Sequence, residues 1–178
     1  HMYSVGEHTI RTLMNVRADK VLRLTMLLHD VAKPVCITTD EEGQDHFKKH
    51  PAVGADMAKQ ILRRLKFDNK TIDCCCRLVN EHDDRPQIPP KNVRRAMSRI
   101  GAGFFPMLFE VKRADMLGQS LYKRKEKMAY IDEFERVYNE ILSDDQCVSK
   151  KDMKINGRDL IDLGMEPGQK LGEILDKL

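Results

Sequence analysis

Apolar residues return every three to four positions along most of this chain, the period of helices with one buried stripe. Val53, Met57, Ala58, Ile61, Leu62 and Leu65 keep that spacing, as do Ile72, Cys75, Cys76 and Val79 within Asn69 to His82. A third run, Met128, Ile131, Phe134, Tyr138, Ile141 and Leu142, predicts a long amphipathic helix. Asp19 to Ala32 differs, because Val21, Leu22, Leu24, Met26, Leu27 and Leu28 leave almost no polar side; this predicts a central helix enclosed by others. Shorter helices are expected over His8 to Val16, from Pro89-Pro90 through Arg94 to Ile100, and over Phe104 to Leu117 after a break at Gly101 and Gly103.

Punctuation between these runs sets the organisation. Pro34 is expected to stop the central helix, and Cys36 to Phe47, with Thr38, Thr39 and Glu42-Gly43, reads as a loop or small hairpin. Pro51 suits a first helical position, which puts His50 at or near an N-cap whose free amides favour anions. Ser143 to Ser149 reads as a linker. Ile155 to Leu178 reads as two short helices hinged at Gly164 and Pro167, with Leu160, Leu163, Leu171, Ile174 and Leu175 available for packing. The expectation is an all-α helical bundle over residues 3–142, with a small helical tail over 150–178 docked on it or on a neighbour.

Composition agrees with that picture. A length of 178 residues allows one ordinary core, and a second full domain is not expected. Charged residues at 33% against 41% hydrophobic suit soluble helices with narrow buried faces. The apolar stretch Val21 to Leu28 is far too short for a membrane span and no signal-peptide core opens the chain, so a cytoplasmic protein without a membrane partner is expected. Cys36, Cys74, Cys75, Cys76 and Cys147 are odd in number and three are consecutive, which fits reduced thiols better than a disulfide framework. A net charge of +3 identifies no nucleic-acid partner. Lys123, Arg124, Lys125 and Lys127, beside Lys112 and Arg113, leave two readings open: a solvated helix face or a surface for RNA phosphates. His1 and Met2 look like a tag remnant and are not candidate site residues.

The candidate chemistry lies in His8, the adjacent His29 and Asp30, His50, His82 and Asp115. Neutral imidazoles and ionised carboxylates are the donors that manganese, iron, cobalt, nickel or zinc accept. The gaps are 20 intervening residues from His8 to His29, 19 from Asp30 to His50, 31 to His82 and 32 to Asp115. Each leaves room for a helix and its return, so ligands converging from several helices of one bundle are expected. An ionised Asp30 at the end of a buried helix needs a partner, and a cation is the strongest available.

The string LLHDVAKP around His29 and Asp30, preceded by GEHT around His8 and followed by RADMLGQ around Asp115, resembles the HD-domain superfamily of metal-dependent phosphohydrolases. HFKKHPAVGA, ILRRLKF, LVNEH and INGRDLIDLGMEPGQKLGEIL are similar to the carboxy-terminal HD and tail region of bacterial tRNA nucleotidyltransferases, from Tyr3 to Leu178. The resemblance implies an HD-domain bundle in which His8, His29, Asp30 and Asp115 hold one metal ion, His50 and His82 add ligands for a second, and Asp30 bridges the two. It implies hydrolysis of phosphomonoesters or phosphodiesters, with nucleotides and cyclic phosphates as substrates and solvent as the nucleophile. Two such ions about 3.5–4 Å apart can make a water acidic and neutralise phosphate oxygens. The nucleotidyltransferase head is not among these residues, so nucleotide addition is not expected; the alternative is a non-catalytic module that contacts RNA.

Other residues carry open roles. Lys33, one turn past the His-Asp pair, is a candidate to assist catalysis by binding the phosphate, or else pairs with a carboxylate. Arg113 is a candidate substrate-binding residue and Arg85 a weaker one, although each also suits an exposed structural arginine. His46 could donate a proton or bond locally, and Asp83 more readily caps or faces solvent.

Overall fold

The computed structural model describes residues 3–144 and 157–171. Helices dominate: α1 (Val5–Leu13), α2 (Lys20–Leu28), α3 (Lys33–Cys36), α4 (His50–Arg64), α5 (Asn69–Glu81), α6 (Pro90–Ile100), α7 (Phe105–Gly118), α8 (Arg124–Ser143) and α9 (Gly157–Asp162). A two-residue hairpin, β1 (Thr38–Thr39) against β2 (Asp45–His46), pairs Thr38 with His46. The fold is all-α, as the periodicity predicts.

Local chemistry sets the boundaries. The first helix starts three residues earlier than expected because Ser4 and Glu7 form a capping box: Ser4 Oγ accepts from the Glu7 amide, and the Glu7 carboxylate accepts from the Ser4 amide. Pro34, expected to stop a helix, instead lies in the first turn of α3, where its missing N–H costs nothing. The central helix therefore ends at Leu28, capped at its start by Asp19. After α4, Lys66 takes a left-handed φ of 61°, and the amides of Phe67 and Lys66 return to the carbonyls of Leu62 and Arg63 in a Schellman closure. That turn drops Phe67 back onto the core beside Leu62.

Two apolar clusters meet at α2. The larger joins Leu22 and Met26 of α2 to Val93 and Met97 of α6, Phe105, Leu108 and Phe109 of α7, and Ile131, Phe134 and Tyr138 of α8. The smaller sets Leu28 against Ala58 and Leu62 of α4 and Ile72, Cys75 and Val79 of α5. Leu22 and Met26 are fully buried, each stabilising the fold by about 1.5–3 kcal/mol. Leu27, however, is 52% exposed, so α2 is enclosed on most sides rather than all.

In the tail, α9 ends at Asp162 and Gly164 turns with φ 95°. Leu163, expected to pack, is 82% exposed. Ile155, Ile174, Leu175, Cys147 and most of the expected linker lie outside the described residues. The cysteines among the described residues are free. No helix among the described residues is long and apolar enough to cross a membrane.

Candidate metal centre

The six expected donors come from five helices and meet. His8 projects from α1, His29 and Asp30 follow the last residue of α2, His50 opens α4, His82 follows the last residue of α5, and Asp115 lies in the last turn of α7. All six are buried. The backbone just before His50 is held in an uncommon state, with Lys49 at φ 66°. Gly118 lets α1 and α7 approach: a Cβ there would sit 2.4 Å from Thr12 Cγ2 and 3.3 Å from His8 Nδ1.

The imidazoles are aimed by their own helices. Nδ1 of His29, His50 and His82 donates to the carbonyl three residues back, Met26 at 2.8 Å, Phe47 at 2.8 Å and Val79 at 2.7 Å. A carbonyl can only accept, so each neutral ring carries its proton on Nδ1 and turns a bare Nε2 inward. The bare nitrogens of His50 and His82 face each other, and that of His29 faces His8, whose Nε2 also lies against the Asp115 carboxylate. His50 Nε2 is 3.3 Å from His82 Nε2, and His8 Nε2 is 3.2 Å from His29 Nε2. Facing lone pairs repel unless a proton or a metal cation lies with them.

Asp30 stands between the two pairs. Its Oδ2 is 3.4 Å from Nε2 of both His8 and His29, and it accepts from Lys33 Nζ at 2.6 Å. Its Oδ1, buried without a hydrogen bond, faces His50 Nε2 at 3.5 Å and His82 Nε2 at 3.7 Å. Burial pushes the Asp30 carboxyl up, but the imidazoles of His50, His82 and His29 together with Lys33 override it and hold it well below the usual range. Asp115 behaves alike: burial opposes ionisation, and His29 and His8 outweigh it. Its Oδ1 lies 2.9 Å from His8 Nε2, while Oδ2 accepts from Gln119 Nε2 at 2.9 Å. For His8 and His50, burial disfavours the charged ring, but Asp115 and Asp30 respectively raise their affinity for a proton.

An orphaned carboxylate oxygen, facing imidazole lone pairs and an all-nitrogen-and-oxygen donor set fit divalent cations. Two overlapping groups present themselves, His8, His29 and Asp30, and then Asp30, His50 and His82. Asp115 joins the first through His8.

Residues 52–178 match the family described as tRNA nucleotidyltransferase domain 2. The chain belongs to the tRNA nucleotidyltransferase domain 2 family. The whole chain is 29% identical to 42% of the A-adding tRNA nucleotidyltransferase of Deinococcus radiodurans, and 28% identical to 41% of the CC-adding enzyme of Thermus thermophilus. It thus spans about two fifths of the length of these curated relatives.

In this tRNA nucleotidyltransferase domain, the cluster opens into a cavity of about 950 Å³ whose lining includes Lys33, Lys48, Arg85, Lys127 and the ring of Phe47. A second cavity of about 340 Å³ adjoins it, with Met116, Tyr130 and Ile131 among its walls. Lys33 is in place beside the cluster, tied to Asp30. Arg113 is not: its guanidinium points to α8, with Asp132 at 2.8 Å and Glu135 at 2.5 Å, and it is absent from both cavity walls. The expected substrate contact is replaced by a helix-to-helix ion pair. His46 bonds Asp40 at 2.7 Å in the hairpin, and Asp83 pairs with Arg85 at 3.0 Å.

Gln119 has no role foreseen from the sequence, and Lys127 and Lys112 stand closer to the site than a basic helix face implies. Gln119 braces Asp115, and Lys127 Nζ donates to Gln119 Oε1 at 2.9 Å. The spacing of four between Asp115 and Gln119 was the available signal. Lys112, grouped by sequence with a basic surface, is buried.

Proposed function

We propose that this chain is an RNA-engaging helical module of a tRNA nucleotidyltransferase, and that its six-donor cluster is the HD-type centre of a metal-dependent phosphoester hydrolase. The observation that carries the hydrolytic reading is Asp30, whose two oxygens each face a pair of inward-turned imidazole nitrogens. His8, His29, Asp30 and Asp115 would hold one cation, and Asp30, His50 and His82 a second, with manganese, iron, cobalt, nickel and zinc all compatible with these donors. When bound, the cations supply Lewis acidity toward phosphoryl oxygens and a more acidic water.

The chain's own groups supply the remainder. Lys33 offsets the charge of Asp30 and stands at the cavity wall, where Arg85, Lys48 and Lys127 add positive charge for an anionic phosphoester. Carbonyl bonds to three Nδ1 atoms fix the rings, so little reorganisation is needed when charge develops. Nucleoside monophosphates and cyclic nucleotides are the substrates to assay with manganese, cobalt, nickel, iron or zinc. His29→Ala and Asp30→Ala are expected to lower turnover at least about a hundredfold. Hydrolysis that both variants leave unchanged would remove the reading.

The RNA-engaging reading draws on the relatives' names and on the first turn of α8, where Lys123, Arg124, Lys125 and Lys127 gather at the positive end of a helix dipole. Glu126 interrupts the run, Arg124 is taken up by the carbonyls of Leu117 and Gln119, and Lys127 by Gln119, which leaves Lys123 and Lys125 to add positive charge toward phosphates. Binding to tRNA should weaken steeply with salt. Salt-independent binding, or none, counts against it and leaves the hydrolytic reading standing.

A further inference from the structure

Cations from two neighbouring helices grip the turn that carries His82. Lys112 of α7 is 6% exposed, and its Nζ donates to the carbonyls of Glu81 at 3.2 Å, His82 at 2.9 Å and Asp84 at 2.5 Å. From the other side, Arg99 of α6 holds Glu81 Oε2 at 2.8 Å and Asp84 Oδ2 at 2.5 Å. The last carbonyls of a helix lack partners within it and carry the negative end of its dipole. An ammonium with three donors meets the final helical carbonyl, of Glu81, that of the capping His82 and that of Asp84 just beyond the helix, which offsets the cost of burying it.

Lys112 stands one turn before Asp115 on the same helix. One element thus carries a donor to the first half of the cluster and anchors the backbone of a donor in the second half. His82 Nδ1 is fixed to Val79, so its ring follows that backbone. We infer that Lys112 is a positioning residue: by holding the Glu81 to Asp84 turn against α7, it sets His82 relative to Asp30 and His50, and so sets the cation affinity of that half of the cluster. Arg99 secures the same turn from outside. Lys112 is not itself a ligand, since its amine is taken up by carbonyls.

This inference rests on the metal reading above, and its test separates the two. Manganese alone is titrated calorimetrically into the wild-type chain, Lys112→Met and His82→Ala, with circular dichroism to establish that each variant is helical. The wild-type chain is expected to bind two ions, and His82→Ala identifies the one that depends on the second half. Lys112→Met should weaken that same ion at least about tenfold and leave the other within about twofold, as the loss of a residue that orients a ligand does. Equal weakening of both ions, or of neither, overturns the positioning role. A wild-type chain that binds no manganese overturns the metal reading, and this inference with it. If Lys112→Met does not fold, Arg99→Gln carries the comparison: a selective loss of about threefold or more in the same ion is expected, and unchanged affinity overturns the proposal.

Discussion

His50 and His82 meet with their Nε2 atoms 3.3 Å apart, each having already committed its Nδ1 proton to a carbonyl of its own turn. His8 and His29 also meet at 3.2 Å, with His8 Nε2 2.9 Å from Asp115 Oδ1, so the native state crowds imidazole nitrogens and carboxylates that a divalent cation would satisfy. Metal ions should therefore stabilise the fold. A divalent ion at a hundred times its dissociation constant is worth about 2.7 kcal/mol, or roughly 5–11 °C in Tm for a chain of this size. Thermal melts with manganese against a chelator measure this. Asp30→Ala should abolish the difference, and a Tm indifferent to every transition ion would contradict it.

Gly118→Ala should destabilise, although alanine is the better helix former by about 1 kcal/mol. The added methyl would lie 2.4 Å from Thr12 Cγ2 and 3.2 Å from the Thr12 amide, so α1 must move away from α7. Overpacking of this kind costs about 1–3 kcal/mol, read by urea denaturation. Because His8 rides on α1, cation affinity should fall with it.

Phe109→Ala tests the scaffold beneath Asp115. Its ring lies 5.2 Å from Phe134, 5.5 Å from Tyr138 and 5.7 Å from Phe105 between centroids, and it is 1% exposed. The expected loss is about 3–5 kcal/mol by chemical denaturation, much of the stability of an ordinary domain.

Asp68 links folding to pH. Its carboxylate accepts from the Thr71 hydroxyl at 2.7 Å and amide at 2.9 Å and from Lys20 at 3.2 Å, which hold it well below the usual carboxylate range. A depressed acid stabilises the fold above its unfolded pKa of about 3.9 and loses that contribution as pH falls toward its folded value. The Tm gap between the wild-type chain and Asp68→Ala should be full at neutral pH and narrow below about pH 4. A gap of constant size down to strong acid would contradict this.

Arg113→Gln should leave hydrolysis within about twofold and stability within about 1 kcal/mol, since its partners Asp132 and Glu135 are partly exposed and such pairs contribute little. A steady-state assay showing a large loss would return Arg113 to the site.

Helix period and residue order are properties of single residue types at fixed spacing, so the helices over Asn69 to Glu81 and Pro90 to Ile100, and the convergence of four histidines and two aspartates, are legible in the chain itself. What is not legible depends on which way a side chain turns. Lys112 and Arg113 are adjacent and chemically alike, yet one faces inward to the His82 turn and the other outward to α8. Pro34 could end one helix or begin another, and the tight turn between His29 and Lys33 decides for the second. The early start at Val5 was written in Ser4 and Glu7, a polar signal that the apolar period alone passes over.

The donors are scattered among five helices, and His8 of α1 and Asp115 of α7, far apart along the chain, come within 2.9 Å only in the folded bundle. No short stretch of nascent or partly unfolded chain can assemble either half of the cluster, because each draws on segments that only the finished packing brings together. An ion held here would thus recognise a completed tertiary arrangement, making its capture a late event in folding and its release an early sign that α1 or α5 has come away.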